Sequence, residues 1–211
     1  MAEIIIFIFS GIFIGIAAGL FGLGGGLMIV PVVTYCLVYF SYTPFDQAII
    51  IGVSTSLASM VITGAMAAYA HSKNNNVDHA IIKIFLPGLI IGSLIIGFFI
   101  ESIPGDFLKY FFIFYAFVIA YKLFKHQEAL KKSTLPNRLL SNMISFVFSI
   151  ISGIVGIGGA TLFVPFLIKN NIPPKLAIGT SSVLGFFIGL SASIAIYVGY
   201  LYSGLNNQQT L

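Results

Sequence analysis

Gly19-Leu20-Phe21-Gly22-Leu23-Gly24-Gly25-Gly26-Leu27-Met28-Ile29-Val30-Pro31 has a second copy, Gly153-Ile154-Val155-Gly156-Ile157-Gly158-Gly159-Ala160-Thr161-Leu162-Phe163-Val164-Pro165. Four glycines and the terminal proline recur at a constant offset of 134 residues, Pro31 against Pro165. The chain is an internal duplication. Clustered glycines each cost a helix about 1 kcal/mol relative to alanine, and here they interrupt runs of apolar residues. Each run therefore reads as a helix broken by glycine. Irregular backbone persists at membrane depth only where protein covers it or where it borders a cavity. In transporters built from repeats, paired Gly/Pro interruptions at corresponding positions point to the substrate site.

Composition sets the class. Hydrophobic residues make up 58% of the 211-residue chain and charged residues 8%, with a mean hydropathy of +1.05. Soluble domains average about a quarter charged residues, so the sequence predicts an all-α integral membrane protein. Spans of about 20 residues each occupy most of the chain and leave no room for a separate soluble domain. Cys36 stands alone, so it forms no intrachain disulfide and reads as a small buried hydrophobe. Met1-Ala2-Glu3 passes into apolar residues at Ile4 without a basic leader region or a cleavage site. The beginning reads as a first span, not a removed signal.

About eight hydrophobic segments follow in order: 4–22, 27–40, 47–70, 81–100 and 107–121, then 139–157, 160–168 and 176–201. Segments 27–40 and 160–168 are shorter than a span. The polar stretch 122–138 carries Lys122, Lys125, Lys131, Lys132 and Arg138 and joins the halves. The predicted organisation is one multi-span membrane domain over 1–211, with repeat 1 at about 1–121, the linker at 122–138 and an incomplete repeat 2 at about 139–211.

Basic residues mark the cytoplasmic side of membrane proteins. If each segment crosses once and the N-terminus lies outside, Lys73, Lys83, the five linker cations, Lys169 and Lys175 all fall inside. Only Lys109 falls outside, beside the acidic residues Asp46, Glu101 and Asp106. This arrangement places an odd number of crossings between the glycine-rich copies, which makes the two repeats inverted. Inverted repeats hold their substrate at the repeat interface near the midplane. The net charge of +4 is a topology signal, not one for nucleic acid.

A second duplicated element follows each glycine run: Gly52-Val53-Ser54-Thr55-Ser56 in the first half and Gly179-Thr180-Ser181-Ser182 in the second. Each reads as a hydroxyl-rich turn opening the next helix, where hydroxyls and helix N-termini together suit an anion. The alternative is that these hydroxyls bond the preceding helical turn or a neighbouring helix. The predicted substrate-binding set is Gly22, Gly24, Gly25, Gly26, Pro31, Ser54, Thr55, Ser56, Gly156, Gly158, Gly159, Thr161, Pro165, Thr180, Ser181 and Ser182.

The glycine runs ending in Pro31 and Pro165, with the Gly52-Val53-Ser54 and Gly179-Thr180-Ser181 turns, resemble the sulfite exporter TauE/SafE family of membrane transporters over essentially the whole chain. The resemblance implies a multi-span permease of the plasma membrane for sulfite, sulfonates or related small organic anions. The chain departs from the family pattern at its end, where two spans that follow the hydroxyl-rich helix in the first half have no counterpart in the second.

Other chemistries find no footing. Gly22-Leu23-Gly24 with Asp46 farther on imitates a dinucleotide fingerprint, but no βαβ unit surrounds it. His71, His79 and His126 lack carboxylate or cysteine partners at ligand spacing, so no metal and no cofactor is expected. No hydrolase, zinc-protease or phosphate-loop motif occurs, so the chain is read as a non-enzyme. The expected partners are a small anionic substrate, the lipid bilayer and a coupling ion or proton that the sequence does not identify. It leaves the oligomeric state open. The alternatives to a secondary permease are a passive channel and a non-transporting remnant or interaction subunit.

Overall fold

A computed structural model describes residues 2–21, 25–40, 42–124 and 135–209, with side chains over 6–16, 25–40, 42–121 and 135–202. Among them the chain forms eight α-helices and a short 3-10 turn at Ile100–Ser102. The helices are α1 (Ala2–Phe21), α2 (Gly26–Tyr39), α3 (Phe45–Lys73), α4 (His79–Phe99), α5 (Gly105–Phe124), α6 (Arg138–Val155), α7 (Ala160–Lys169) and α8 (Pro174–Gln209). They coincide with the eight expected hydrophobic segments. Four stretches are long and apolar enough to cross a bilayer: Phe45–Lys73, His79–Ser102, Arg138–Val155 and Pro174–Tyr202.

Local chemistry sets several boundaries. The Asp78 carboxylate accepts from the N–H groups of Ala80 and Ile81 and starts α4. Asn137 does the same for α6 through Leu140 N–H. Both are ordinary side-chain N-caps.

Helix packing rests on small residues, which let backbones approach closely in lipid. Ser141, Ser145, Ser149 and Gly153 form a buried stripe along α6. Opposite it on α4, a Cβ at Gly88 would overlap the Asn142 carbonyl oxygen, and one at Gly92 would overlap the Ser149 hydroxyl. Ser93 of α4 is hydrogen-bonded to Ser191 of α8. The α4–α6 contacts advance together, as do those of α4 with α8, where Gly97 meets Ala192 and Ala195 and Gly199 meets Phe98, so α4, α6 and α8 run parallel. Phe85, Leu89, Leu57, Phe163, Leu184 and Ile188 fill the core between them.

Helix α3 runs the other way. Gly64 lies against Phe186 of α8, and Gly189 against Met60 and Leu57 of α3. Because α3 and α8 are equivalent helices of the two repeats, their antiparallel packing is the inversion in physical form.

Two helices are shorter than the bilayer is thick. Helix α2 has 14 residues and α7 has 10, or about 21 Å and 15 Å at 1.5 Å per residue, against a hydrocarbon core of about 30 Å. Helix α7 does not cross alone. The ring centroid of Phe148 on α6 lies 5.2 Å from that of Phe163 on α7, so the glycine break turns the chain back along α6. A hairpin that enters and leaves at the same end has the parity of two crossings. The two halves therefore keep opposite orientations despite the shorter helix.

Candidate substrate site at the helix reversals

Gly156 ends α6 in the left-handed conformation, φ 70° and ψ 34°, which L side chains adopt only at a cost of about 1–2 kcal/mol. Ile157 N–H donates back to the Ser152 carbonyl at 3.0 Å, closing the helix end. A Cβ at Gly156 would also lie 2.9 Å from Val30 Cγ2 and 3.1 Å from Val53 Cα. The Gly156 carbonyl accepts from Ser56 Oγ of α3 at 2.6 Å. Gly26, the first residue of α2, packs on the same carbonyl: a Cβ there would overlap the Gly156 oxygen and sit 2.7 Å from Ile157 Cα. Residues from α2, α3 and the α6–α7 turn thus meet at one point. Ser56, the twelfth of 29 residues in α3, sets this point near the middle of the bundle.

Two helices begin around this point. In α2 the Gly25 carbonyl accepts from Met28 and Ile29 N–H at 3.0 and 2.9 Å. In α7 the Gly159 carbonyl accepts from Leu162 and Phe163 N–H at 3.1 and 2.7 Å. Neither start has a side-chain cap. The first N–H groups of a helix have no acceptor within it, and the helix dipole places partial positive charge there. Hydroxyls stand close by: Thr161 Oγ1 is directed at the Gly158 carbonyl at 3.3 Å and accepts from Tyr115 of α5 at 2.9 Å. Around Gly158 there is room, since a Cβ would meet only Met60 Sδ at 3.8 Å. The uncapped N–H groups of the two helix starts are the donors on offer to an anion, since the Ser56, Thr161 and Tyr115 hydroxyls already donate to Gly156, Gly158 and Thr161. Among the described residues no group of three or more His, Cys, Asp or Glu is placed to hold a metal.

The family profile described as "Sulfite exporter TauE/SafE" matches residues 7–207. The chain belongs to the sulfite exporter TauE/SafE family. It is 32% identical over 199 residues to a "Probable membrane transporter protein" of Haemophilus influenzae, covering 92% of this chain and 74% of the relative. A protein of the same description from Methanocaldococcus jannaschii is 28% identical over 209 residues, with 93% and 74% covered. An 88-residue stretch is 40% identical to "Sulfite exporter TauE/SafE family protein 5" of Arabidopsis thaliana, covering 41% of this chain and 18% of the relative. No solved structure matches the chain. The protein is accordingly a membrane-embedded member of a transporter family.

In this TauE/SafE chain the predicted residues divide. Gly22 and Gly24 lie outside the described residues. Gly26, Gly156 and Ser56 meet directly, Gly25 and Gly159 cap the two short helices, Gly158 immediately precedes the α7 cap, and Thr161 lies in the first turn of α7. Pro31 and Pro165 are each the sixth residue of their helix and exposed, away from the glycine contact. Ser54 is half-buried and Thr55 exposed. Thr180 accepts from Asp78 N–H at 2.9 Å, while Ser182 donates to its own helix at Ile178. Ser181 Oγ is buried without a hydrogen-bond partner.

The expectation that both hydroxyl clusters open a helix is corrected. Gly52–Ser56 lies more than two turns inside α3, and Thr180–Ser182 two turns inside α8. The starts are set by Pro44 and by Pro173-Pro174, because proline suits the beginning of a helix and the duplicated glycines do not interrupt packed helices here. Thr180 also lies nine residues, about 13 Å of helix, from Gly189, the α8 residue packed on Met60.

Several residues of the site were not singled out in the sequence. Tyr115 supplies the hydrogen bond to Thr161, and its signal was absent because it comes from α5, which has no repeat partner. Ser152 Oγ, one turn before Gly156, is buried without a partner. Gly185 and Gly189 do carry a readable signal, a small-xxx-small spacing on α8: Gly189 packs tightly on Met60 and Leu57, and Gly185 faces the Gly158–Gly159 backbone at ordinary van der Waals distance.

Proposed function

We propose that the protein is a secondary permease for small anions such as sulfite, sulfonates or related organic anions, multi-pass in the plasma membrane, with its N-terminus outside and the 122–138 linker cytoplasmic. The observation that carries this is the convergence of the α2 and α7 N-termini on the Gly26–Gly156 contact. Two positive dipole ends in the middle of a membrane bundle, neither with a side-chain cap, favour an anion without any fixed cation. The family description, sulfite exporter, agrees in charge type. Orientation is supported by the ends of the bundle. The 74–78 loop meets the start of α8, grouping Lys73, Lys83 and Lys175, whereas Asp46 lies against Gly105, grouping the acidic residues with Lys109.

Counterflow of labelled sulfite and methanesulfonate in liposomes reconstituted with the 211-residue chain tests the reading. Saturable exchange is expected. Gly158→Leu, placed where a side chain has room, should abolish exchange while the protein still inserts and stays folded. Full exchange in that variant would refute the site, and non-saturating conductance would identify a channel instead.

A further inference from the structure

Helix α6 ends in the middle of the bundle with most of its last carbonyls unanswered. The final four C=O groups of a helix have no donor within it. Here the Ser152 carbonyl takes the N–H groups of both Gly156 and Ile157, and the Gly156 carbonyl beyond the helix takes the Ser56 hydroxyl. The carbonyls of Gly153, Ile154 and Val155 receive no hydrogen bond among those of the described residues. Val155 is completely buried.

Ser152 adds a fourth oxygen. Of the four serines of α6, Ser141, Ser145 and Ser149 return their hydroxyls to nearby backbone carbonyls. The Ser152 hydroxyl does not: it is buried with no partner, on the face that Ser152 shares with Gly156 one turn on, where α2 and α3 meet the reversal. Unpaired polar atoms are costly at membrane depth and persist where they border a cavity. Space exists beside the turn, since a Cβ at Gly158 would meet only Met60 Sδ at 3.8 Å.

Oxygens without donors at the negative end of a helix dipole call for a positive charge. Protein sites for divalent ions rely on carboxylates, and among the described residues no such group gathers. A proton needs a titratable base, and neither α6 nor α7 carries Asp, Glu or His. Neutral oxygens at the C-terminal ends of broken helices suit a monovalent metal ion. Ala18 stands at the position equivalent to Ser152, so the first repeat lacks the hydroxyl.

We infer that the end of α6 is a binding site for an alkali-metal cation, held by the carbonyl oxygens of Gly153, Ile154 and Val155 and by Ser152 Oγ, with water completing its shell. Only the 156–159 turn separates this negative end from the positive start of α7. Cation and anion therefore occupy neighbouring sites, and each tightens the other. The inference deepens the permease reading and rests on it for the claim that the two ions move together.

Thermal unfolding of the full 211-residue chain in nanodiscs tests the site, with sodium or potassium chloride titrated against N-methylglucamine chloride at constant ionic strength. At least one alkali salt should raise the midpoint saturably. Ser152→Ala should weaken the apparent alkali affinity about tenfold, the loss of one oxygen ligand. In N-methylglucamine the same variant should be no less stable than the parent, because it removes a buried hydroxyl that has no partner. A merely structural serine would lose stability in every salt. Ser145→Ala, whose hydroxyl bonds its own helix, should leave the alkali response unchanged. Absence of an alkali-specific shift, or an equal shift in Ser152→Ala, overturns the proposal and leaves the carbonyls to water. In liposomes, an inward gradient of the stabilising ion should drive sulfite accumulation. Saturable counterflow that is indifferent to alkali ions, with no shift in midpoint, breaks this assignment alone. An alkali shift without counterflow breaks the permease reading, and the coupling with it, while the cation site stands.

Discussion

Ser54-Thr55-Ser56 and Thr180-Ser181-Ser182 follow equivalent glycines of the two repeats, yet they work in different surroundings. Ser56 reaches across to the Gly156 carbonyl and ties α3 to the α6–α7 turn. Thr180 instead accepts from Asp78 at the end of the bundle and ties α8 to the α3–α4 loop. The glycines ahead of them differ likewise. A Cβ on Gly52 would lie 2.6 Å from Thr34 Oγ1 of α2, whereas one on Gly179 would overlap the Asn76 carbonyl. Helix α7 is four residues shorter than α2, so a loop takes the place beside Gly179 that a helix holds beside Gly52. Counted from those glycines, Ser56 corresponds to Val183 and Thr180 to Val53, so the duplication has kept a hydroxyl-rich cluster while its phase and its neighbours changed.

Position 26 and its equivalent, position 160, sharpen the contrast most. Gly26→Leu forces a side chain into the Gly156 backbone, and overpacking of this kind should destabilise the protein by about 3 kcal/mol or more. The folded, monodisperse fraction in detergent should collapse. Ala160→Gly, the reciprocal change, should cost about 1 kcal/mol or less. Equal losses at the two positions would remove the asymmetry. Next in size, Gly156→Ala carries both the left-handed penalty and the contact with Val30, and an unfolding midpoint should report about 2 kcal/mol lost.

The hydroxyl clusters give smaller effects. Ser56→Ala should lose about 1 kcal/mol with its hydrogen bond, and Thr180→Val a similar amount because Asp78 N–H is left unpaired. The readouts should separate: Ser56→Ala lowers counterflow, and Thr180→Val changes stability without altering the apparent KM for the anion. A KM shift from Thr180→Val would restore equivalence between the clusters. Thr55→Ala, at an exposed position, should stay within about 0.5 kcal/mol of the parent.

Much of this was legible in the chain itself. Low charge and long apolar runs dictate membrane helices, because a bilayer leaves backbone groups no other partner than their own helix. The repeated glycine run dictates two breaks, and glycine's tolerance of a left-handed φ is used at Gly156. Three-dimensional packing decided the remainder. It turned the second break into a reversal, brought Gly26 onto Gly156, enlisted Ser56 and left Thr180 at a loop. It also set Tyr115 beside Thr161. None of these pairings has a sequence period to announce it: each joins residues far apart in the chain, and which hydroxyl meets which carbonyl depends on helix lengths and crossing geometry that no local pattern encodes.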